Sequence, residues 1–274
     1  MMPVLQFLGL SLPVTPLFAL LAFYLGGEVS GRALSYLNRD HPERERWLSA
    51  LSTAIFLALL LALVVARLAY AARFASLYLE RPSMLLSPRI QTLAMGPGVV
   101  GGALALLAYL RYRRVPLARA ADALAFGLVA GGIVLYSGLF LSGDLYGTVT
   151  FVPWAVEVWG LPRHPVGLYM ALALLCIGLA LLRTARRGYL PGEIFWRFLM
   201  FYGLSLLILG AYHANSPTWG PGIRLVQAGG LLASLVGMFV LSYYAAAWQR
   251  TMGSRASLRE AEMEYEFVSR QRAP

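Results

Sequence analysis

The sequence predicts an all-α integral membrane protein of seven transmembrane helices, and three observations carry that expectation. Hydrophobic residues make up 59% of the 274 positions and charged residues only 13%, far from the balance of a soluble domain. The apolar residues gather in blocks of roughly 17–25, the length that crosses a bilayer as a helix. Every cationic side chain is an arginine, and 17 of the 23 lie at 32–46, 111–119, 183–197 and 250–272. The other six are spread over the intervening connections and the block ends beside them. Arginine in every second connection is the pattern that the positive-inside rule leaves in a chain threaded back and forth through a membrane.

The blocks run at about 13–31, 48–70, 94–110, 121–142, 166–182, 195–212 and 225–248. Only helices and closed barrels satisfy their backbone groups in lipid, and Leu/Ala-rich runs of this length are helices. A soluble helical bundle would need charged helix faces, which these blocks lack. Residues 1–12 carry no formally charged side chain, whereas the first connection holds Arg32, Arg39, Arg44 and Arg46. With an odd number of spans, the N-terminus is expected outside and the C-terminus in the cytoplasm. A cleavable signal peptide is not expected, because no basic region precedes the first apolar stretch. That first span would serve as the insertion signal. No internal repeat is visible, so residues 1–253 read as one membrane domain and 254–274 as a polar cytoplasmic tail.

Formal net charge is +10. The excess faces the cytoplasmic leaflet in this reading, where anionic lipid accounts for it, and no nucleic-acid partner is expected. The single cysteine, Cys176, lies within a span and reads as a packing residue. His41, His164 and His213 are far apart and show no metal-ligand spacing, so neither a metal nor another cofactor is expected.

Polar residues concentrate in a few connections. The outer connection from Gly143 to Pro165 is too elaborate for a simple turn. Thr148 to Val152 has strand-like composition, and Trp154 and Trp159 suit the headgroup level. Asp144, Arg163 and His164 cluster at the ends of two spans, as a polar lipid-facing cleft or as a structural ion pair. Gly96-Pro97-Gly98-Val99-Val100-Gly101 matches GxGxxG, yet no strand precedes it and no βαβ unit surrounds it. It reads instead as a re-entrant or broken helix start. Its N–H groups could hold a phosphate headgroup, or its small residues could allow close helix packing. Glu28 and Arg32 stand four apart on one helix face, an order that favours a structural pair. Tyr202, His213, Arg224 and Gln227 frame the last outer connection, where a histidine keeps acid–base work open.

Several of these segments together resemble the bacterial prolipoprotein diacylglyceryl transferases. Arg163-His164-Pro165-Val166-Gly167-Leu168-Tyr169 is similar to that family's Arg-His-Pro-x-Gln-Leu-Tyr-Glu motif. Gly143-Asp144-Leu145-Tyr146-Gly147 resembles its Gly-Glu-Leu-Trp-Gly, and Gly98-Val99-Val100-Gly101 the end of its His-Gly-Gly-Leu-Ile-Gly run. Tyr202-Gly203 and Gln227 resemble further matches in the last two spans. The departures are Gly96 for the family's His, Tyr136 and Leu139 for the Arg and Asn of Gly-Arg-Ile-Gly-Asn, and Gly167 and Met170 for the Gln and Glu of the fifth span. In the sixth span Leu206, Gly210 and His213 stand where the family has Arg, Glu and Arg.

The resemblance implies a seven-span multi-pass protein of the bacterial inner (plasma) membrane, with a cleft open to the outer leaflet. It implies transfer of a diacylglyceryl group from phosphatidylglycerol to a lipoprotein cysteine thiol, with release of glycerol phosphate and with prolipoprotein as partner. That chemistry needs a cation on the departing phosphate and a base for the thiol. Candidates for the catalytic set are His164, His213, Asp144, Tyr169 and Tyr202. Candidates for phosphate and lipid are Arg163, Arg224, Tyr146, Gly98, Gly101 and Gln227. The missing polar positions keep two other readings open: a different acceptor, and a catalytically inactive lipid-binding protein on the same scaffold. A solute transporter is disfavoured, since paired broken helices with midplane charges are not evident. The arginine alternation makes a direct prediction. Cysteines engineered at 39–46 and at 144–163 should label from opposite sides of the membrane, and labelling from one side would overturn the topology.

Overall fold

The computed structural model describes residues 4–7, 10–86, 93–214, 216–219 and 222–246. The tail expected at 254–274 lies outside the described residues, as do positions 247–248 of the last expected span. A hairpin of β1 (Val4–Phe7) and β2 (Leu10–Pro13) leads into α1 (Val14–Leu37), followed by α2 (Arg44–Arg73) and the short α3 (Ala75–Glu80). Then come α4 (Met95–Tyr112), α5 (Leu117–Ser142), the hairpin of β3 (Val156–Val158) and β4 (Leu161–Arg163), α6 (Val166–Arg187) and α7 (Glu193–Leu209). The small pair β5 (Thr218–Trp219) and β6 (Ile223–Arg224) precedes the last helix, α8 (Leu225–Ala246).

Six of the described helices are long and apolar enough to cross a bilayer: α1, α2, α5, α6, α7 extended to Tyr212, and α8. The remaining expected span, at 94–110, is α4, with 18 residues. At a rise of about 1.5 Å per residue such a helix is barely bilayer-long. Gly96, Pro97, Gly98, Gly101 and Gly102 also dilute the apolar character of its first half. The broken or re-entrant start expected here is a continuous helix from Met95, with Pro97 inside the first turn, where its missing N–H has no intrahelical partner to lose. Gly98, Gly101 and Gly102 face α2. A β-carbon on Gly98 would lie 2.8 Å from Ala66 Cβ, and one on Gly101 2.7 Å from Val65 Cγ2. Close packing is therefore what the glycine run does in the fold, as small residues do between membrane helices.

α5 occupies the centre, packed against α1, α4, α6 and α7. Its inward positions are small: Ala120, Ala123, Ala125, Gly127, Gly131 and Gly138 are all buried. Against α1 the backbones come so near that a β-carbon on Gly131 would sit 2.7 Å from the Ala22 carbonyl oxygen. At the arginine-rich end, Leu34, Trp47, Leu51, Leu110 and Val115 pack around Ala120 and Ala123. Farther along, Val129, Leu174, Ile177, Leu181, Ile194 and Phe198 join α5 to α6 and α7. Much of the outside is apolar: Leu20, Leu104 and Leu232 are each more than 60% exposed, which lipid tolerates and water would not.

Two other expectations meet the structure differently. Thr148 to Val152 is not a strand. The antiparallel ladder runs between Val156–Val158 and Leu161–Arg163, because the chain reverses at Trp159 and Gly160, both in the left-handed region at φ 57° and 74°. Two such residues in a row make the tight turn whose twist suits flanking strands. The Glu28–Arg32 pair forms at 3.5 Å on an exposed face, where it contributes little.

A buried acid that the sequence reading passed over fixes the start of α7. Asp122, 1% exposed on α5, accepts the Gly192 N–H at 2.6 Å and the Phe195 N–H at 3.0 Å. These are groups that a helix N-terminus leaves without intrahelical partners. Asp122→Ala should lower stability by about 1.5–3 kcal/mol, the cost of losing hydrogen bonds to a charged acceptor. Asp122→Asn, which keeps one acceptor oxygen, should lose less. Thermal unfolding in detergent measures both, and equal melting of wild type and Asp122→Ala would refute the role.

Candidate functional site

The polar residues singled out in the sequence converge mainly where α5, α6 and α7 end or begin, opposite the arginine-rich connections. α5 stops at Ser142 because Gly143 takes the left-handed conformation at φ 79° and returns its N–H to Phe140 O. The chain then folds back, and Leu145 docks on Val166 and Met170. The next residues form a strip bonded on two sides. Toward α6, Gly147 N–H donates to His164 O at 3.1 Å, His164 N–H to Thr148 O at 3.1 Å, and Thr150 N–H to Pro162 O at 3.0 Å. Toward the end of α7, Thr148 N–H donates to Tyr212 O at 2.8 Å and Ala214 N–H to Tyr146 O at 3.2 Å. This backbone strip brings Tyr146, Arg163, His164, Tyr212 and His213 into one cluster.

Within the cluster Arg163 is half-buried. One guanidinium nitrogen donates to Gly147 O at 3.2 Å, and the group lies over the Tyr146 ring, 5.1 Å from its centroid. That is a cation–π geometry. Its Nε is buried with no protein partner. The His164 ring packs against Tyr212 at 4.7 Å, and its Nδ1 is 3.3 Å from the Tyr169 hydroxyl. Trp154 Nε1 donates to that same hydroxyl oxygen at 2.7 Å. Indole is only a donor, so the Tyr169 O–H stays available for its contact with Nδ1. Trp154 thus anchors His164 through Tyr169, besides standing 61% exposed, as a headgroup-level ring would.

His213 is paired through its backbone with Gly147, and both ring nitrogens are buried without a protein partner. Burial, and then the nearby Arg224 cation, hold its pKa below the usual histidine value. A neutral imidazole with a free lone pair is a proton acceptor. Arg224 donates through one nitrogen to Gly210 O at 3.0 Å, to His213 O at 2.6 Å and to Ala211 O. It closes the carbonyl end of α7, where a cation suits the helix dipole.

The remaining candidates lie around this cluster or away from it. Asp144 accepts a hydrogen bond from Thr15 Oγ1 at the start of α1. Tyr202 sits deeper, stacked on Phe198 at 5.5 Å, and its hydroxyl pairs with Tyr136 at 2.8 Å between α7 and α5. Gln227 Nε2 donates to Leu207 O at 3.2 Å, joining α8 to α7. Gly98 and Gly101 are on the α2 face described above. Tyr212, Trp154 and Thr15 belong to the arrangement without having been candidates. Asp122 carried one usable signal: an ionisable residue inside an apolar block.

Helices of bilayer length, with a cluster of histidine, tyrosine and arginine side chains at the end opposite the arginine-rich connections, define the class: a polytopic membrane protein. The sequence matches the family model for prolipoprotein diacylglyceryl transferase over residues 3–243, and the chain belongs to that family. Among similar proteins, the phosphatidylglycerol–prolipoprotein diacylglyceryl transferase of Clostridioides difficile is 25% identical over 181 residues, covering 66% of this chain and 73% of that protein. The enzyme of the same name from Geobacter sulfurreducens is 35% identical over 133 residues, 47% of this chain and 51% of its own. That of Bartonella bacilliformis is 30% identical over 152 residues, 52% and 53% of the two chains. The chain thus matches about half the length of the latter two relatives.

The low pKa of His213 has a measurable consequence. Its folded value lies below the unfolded one of about 6.5, so the unfolded chain takes the proton first as pH falls. Stability should be complete above that value and decline below it, toward the folded pKa. His213→Gln should flatten this limb between pH 7 and 5. Identical pH-melting curves for the two proteins would remove His213 as its source.

Proposed function

We propose that this protein is a phosphatidylglycerol–prolipoprotein diacylglyceryl transferase of the bacterial inner membrane. Seven spans, an outside N-terminus and a cytoplasmic C-terminus would turn its polar cluster toward the outer leaflet. The reading rests on the match along residues 3–243, which includes the Arg163-His164-Pro165 element and the strip it is bonded to.

In this reading the thiol sulfur of the lipoprotein cysteine attacks the glyceryl carbon that bears the phosphodiester. A C–S bond forms, the C–O bond breaks, and glycerol phosphate leaves with the electron pair. Arg163, with Nε unpartnered, meets the phosphate, since a guanidinium grips two oxygens at once. The start of α6 at Val166, just beyond Pro165, adds a favourable helix dipole. His213 takes the thiol proton, being buried and held neutral. Arg224 contributes its charge from the end of α7, and Tyr146 and Tyr169 orient Arg163 and His164. The alternative, a lipid-binding protein without catalysis, is motivated by Gly96, Tyr136, Leu206 and Gly210 at positions where the resemblance expects polar residues. The names carried by the similar proteins favour the transferase.

Reconstitution with labelled phosphatidylglycerol and a lipobox peptide decides between them. Label should move to the peptide thiol with stoichiometric glycerol phosphate. Retained lipid without turnover, under conditions where a relative is active, would leave only the scaffold reading. Arg163→Lys should weaken lipid turnover while preserving the fold. Arg163→Ala should be worse, by about 1.5–3 kcal/mol for a lost hydrogen bond between charged groups. Full activity in a folded Arg163→Ala protein would sink the phosphate role.

A further inference from the structure

A second cationic site stands at the other end of the bundle. Two connections, α1–α2 and α6–α7, and the first turn of α5 meet around a cavity of about 430 Å³, within the range of small-ligand pockets. Asn38, Arg39, Asp40, His41, Arg119 and Tyr189 line it. Arg119 stands in the first turn of α5. Its guanidinium lies 5.2 Å from the Trp47 ring centroid and donates one N–H to Asn38 Oδ1 at 3.3 Å, which fixes its direction. Among the described residues it has no carboxylate partner within 4.0 Å. The nearest acid along its own helix, Asp122, has both oxygens committed to Gly192 and Phe195.

Arg39 pairs only with its neighbour Asp40, at 3.5 Å, and both are largely exposed, so that pair is weak. His41 Nδ1 accepts the Glu43 N–H at 3.2 Å, which leaves the proton of the neutral ring on Nε2, a donor. Tyr189 closes one wall by donating to Leu37 O at 3.3 Å. Two guanidinium groups and an imidazole N–H against one carboxylate make a cavity rich in donors and positive in sum. The apolar core of Trp47, Leu34 and Ala120 lies alongside.

We propose that this cavity binds a phosphate group. Two sources share that chemistry: the headgroup of an anionic phospholipid in the adjoining leaflet, the inner one in the orientation proposed above, and free phosphate from solution. Guanidinium groups on rigid helix ends recognise phosphate oxygens in a bidentate way, and basic pockets between transmembrane helices at the cytoplasmic face take anionic headgroups. The site is separate from the Arg163 cluster and does not depend on the transferase reading.

The test uses the full chain in nanodiscs of phosphatidylcholine and of phosphatidylglycerol, titrated calorimetrically with inorganic phosphate. In phosphatidylcholine, binding should saturate, and Arg119→Gln and Arg39→Gln should each weaken it at least tenfold; both are measured also on an Arg163→Gln background, which removes any phosphate held at the other cluster. If phosphatidylglycerol abolishes the phosphate heat, and native mass spectrometry finds one fewer retained phosphatidylglycerol in the two pocket variants, the headgroup is the occupant. If the phosphate heat persists in phosphatidylglycerol, free phosphate is. Arg39 is exposed, so Arg39→Gln should fold even if Arg119→Gln does not. Absence of saturable binding together with equal lipid retention in all variants would overturn the proposal, as would affinities unaltered by Arg39→Gln.

Discussion

The structure depends on how closely its neighbours approach α5. In lipid no hydrophobic force drives helices together, so they associate through close contact and through interhelical hydrogen bonds. α5 supplies both. Its alanines and glycines bring α1 into near backbone contact, and Asp122 binds two N–H groups at the start of α7. At the other end of the same helix, Gly143 turns the chain into the strip that organises the polar cluster. One helix thereby sets the position of the connections at one end of the bundle and of the polar cluster at the other.

At the end that carries the polar cluster the constraint passes from side chains to backbone. Non-helical chain at a membrane face must find partners for its N–H and C=O groups, and residues 147–150 find them at the far end of their own connection and in the segment after α7. That requirement, more than any attraction among the polar side chains, juxtaposes Arg163, His164 and His213. The three then differ in how fully they are satisfied. His164 is held by Tyr169 and Tyr212, whereas Arg163 Nε and both nitrogens of His213 are left without protein partners. Groups of this kind, fixed but unsatisfied, are where a substrate can gain most from binding.

The departures from the family pattern have physical counterparts. At Gly167, where the family has Gln, a β-carbon would lie 2.8 Å from Phe140 Cβ and from the Tyr136 carbonyl oxygen. α6 therefore lies against α5 at a distance that a longer side chain would prevent. At Tyr136, where the family has Arg, a neutral hydroxyl pairs with Tyr202, so the bundle interior carries a hydrogen bond where a charge would need a counter-ion. Positive charge near the site comes instead from Arg163 and Arg224, both of which also hold backbone carbonyls. The side chains that bring positive charge to the cluster thus also brace its backbone.

Much of this was legible in the sequence. Block length and apolar content give the helices, because backbone satisfaction in lipid leaves no other regular form for them. The Arg-His-Pro element and its companions give the family and name most of the residues that cluster. Sequence could not give the strip, since the bonds of residues 147–150 go to partners far along the chain and leave no local period. Nor did it show the role of Asp122, or which helix Gly98 packs against, for a capping acid and a contact partner are defined only by what another helix places beside them. Linear pattern determined which segments enter the membrane and which residues bear chemistry. The meeting of α5 with its neighbours decided which of those residues touch, because contacts between helices depend on side chains that are distant in sequence.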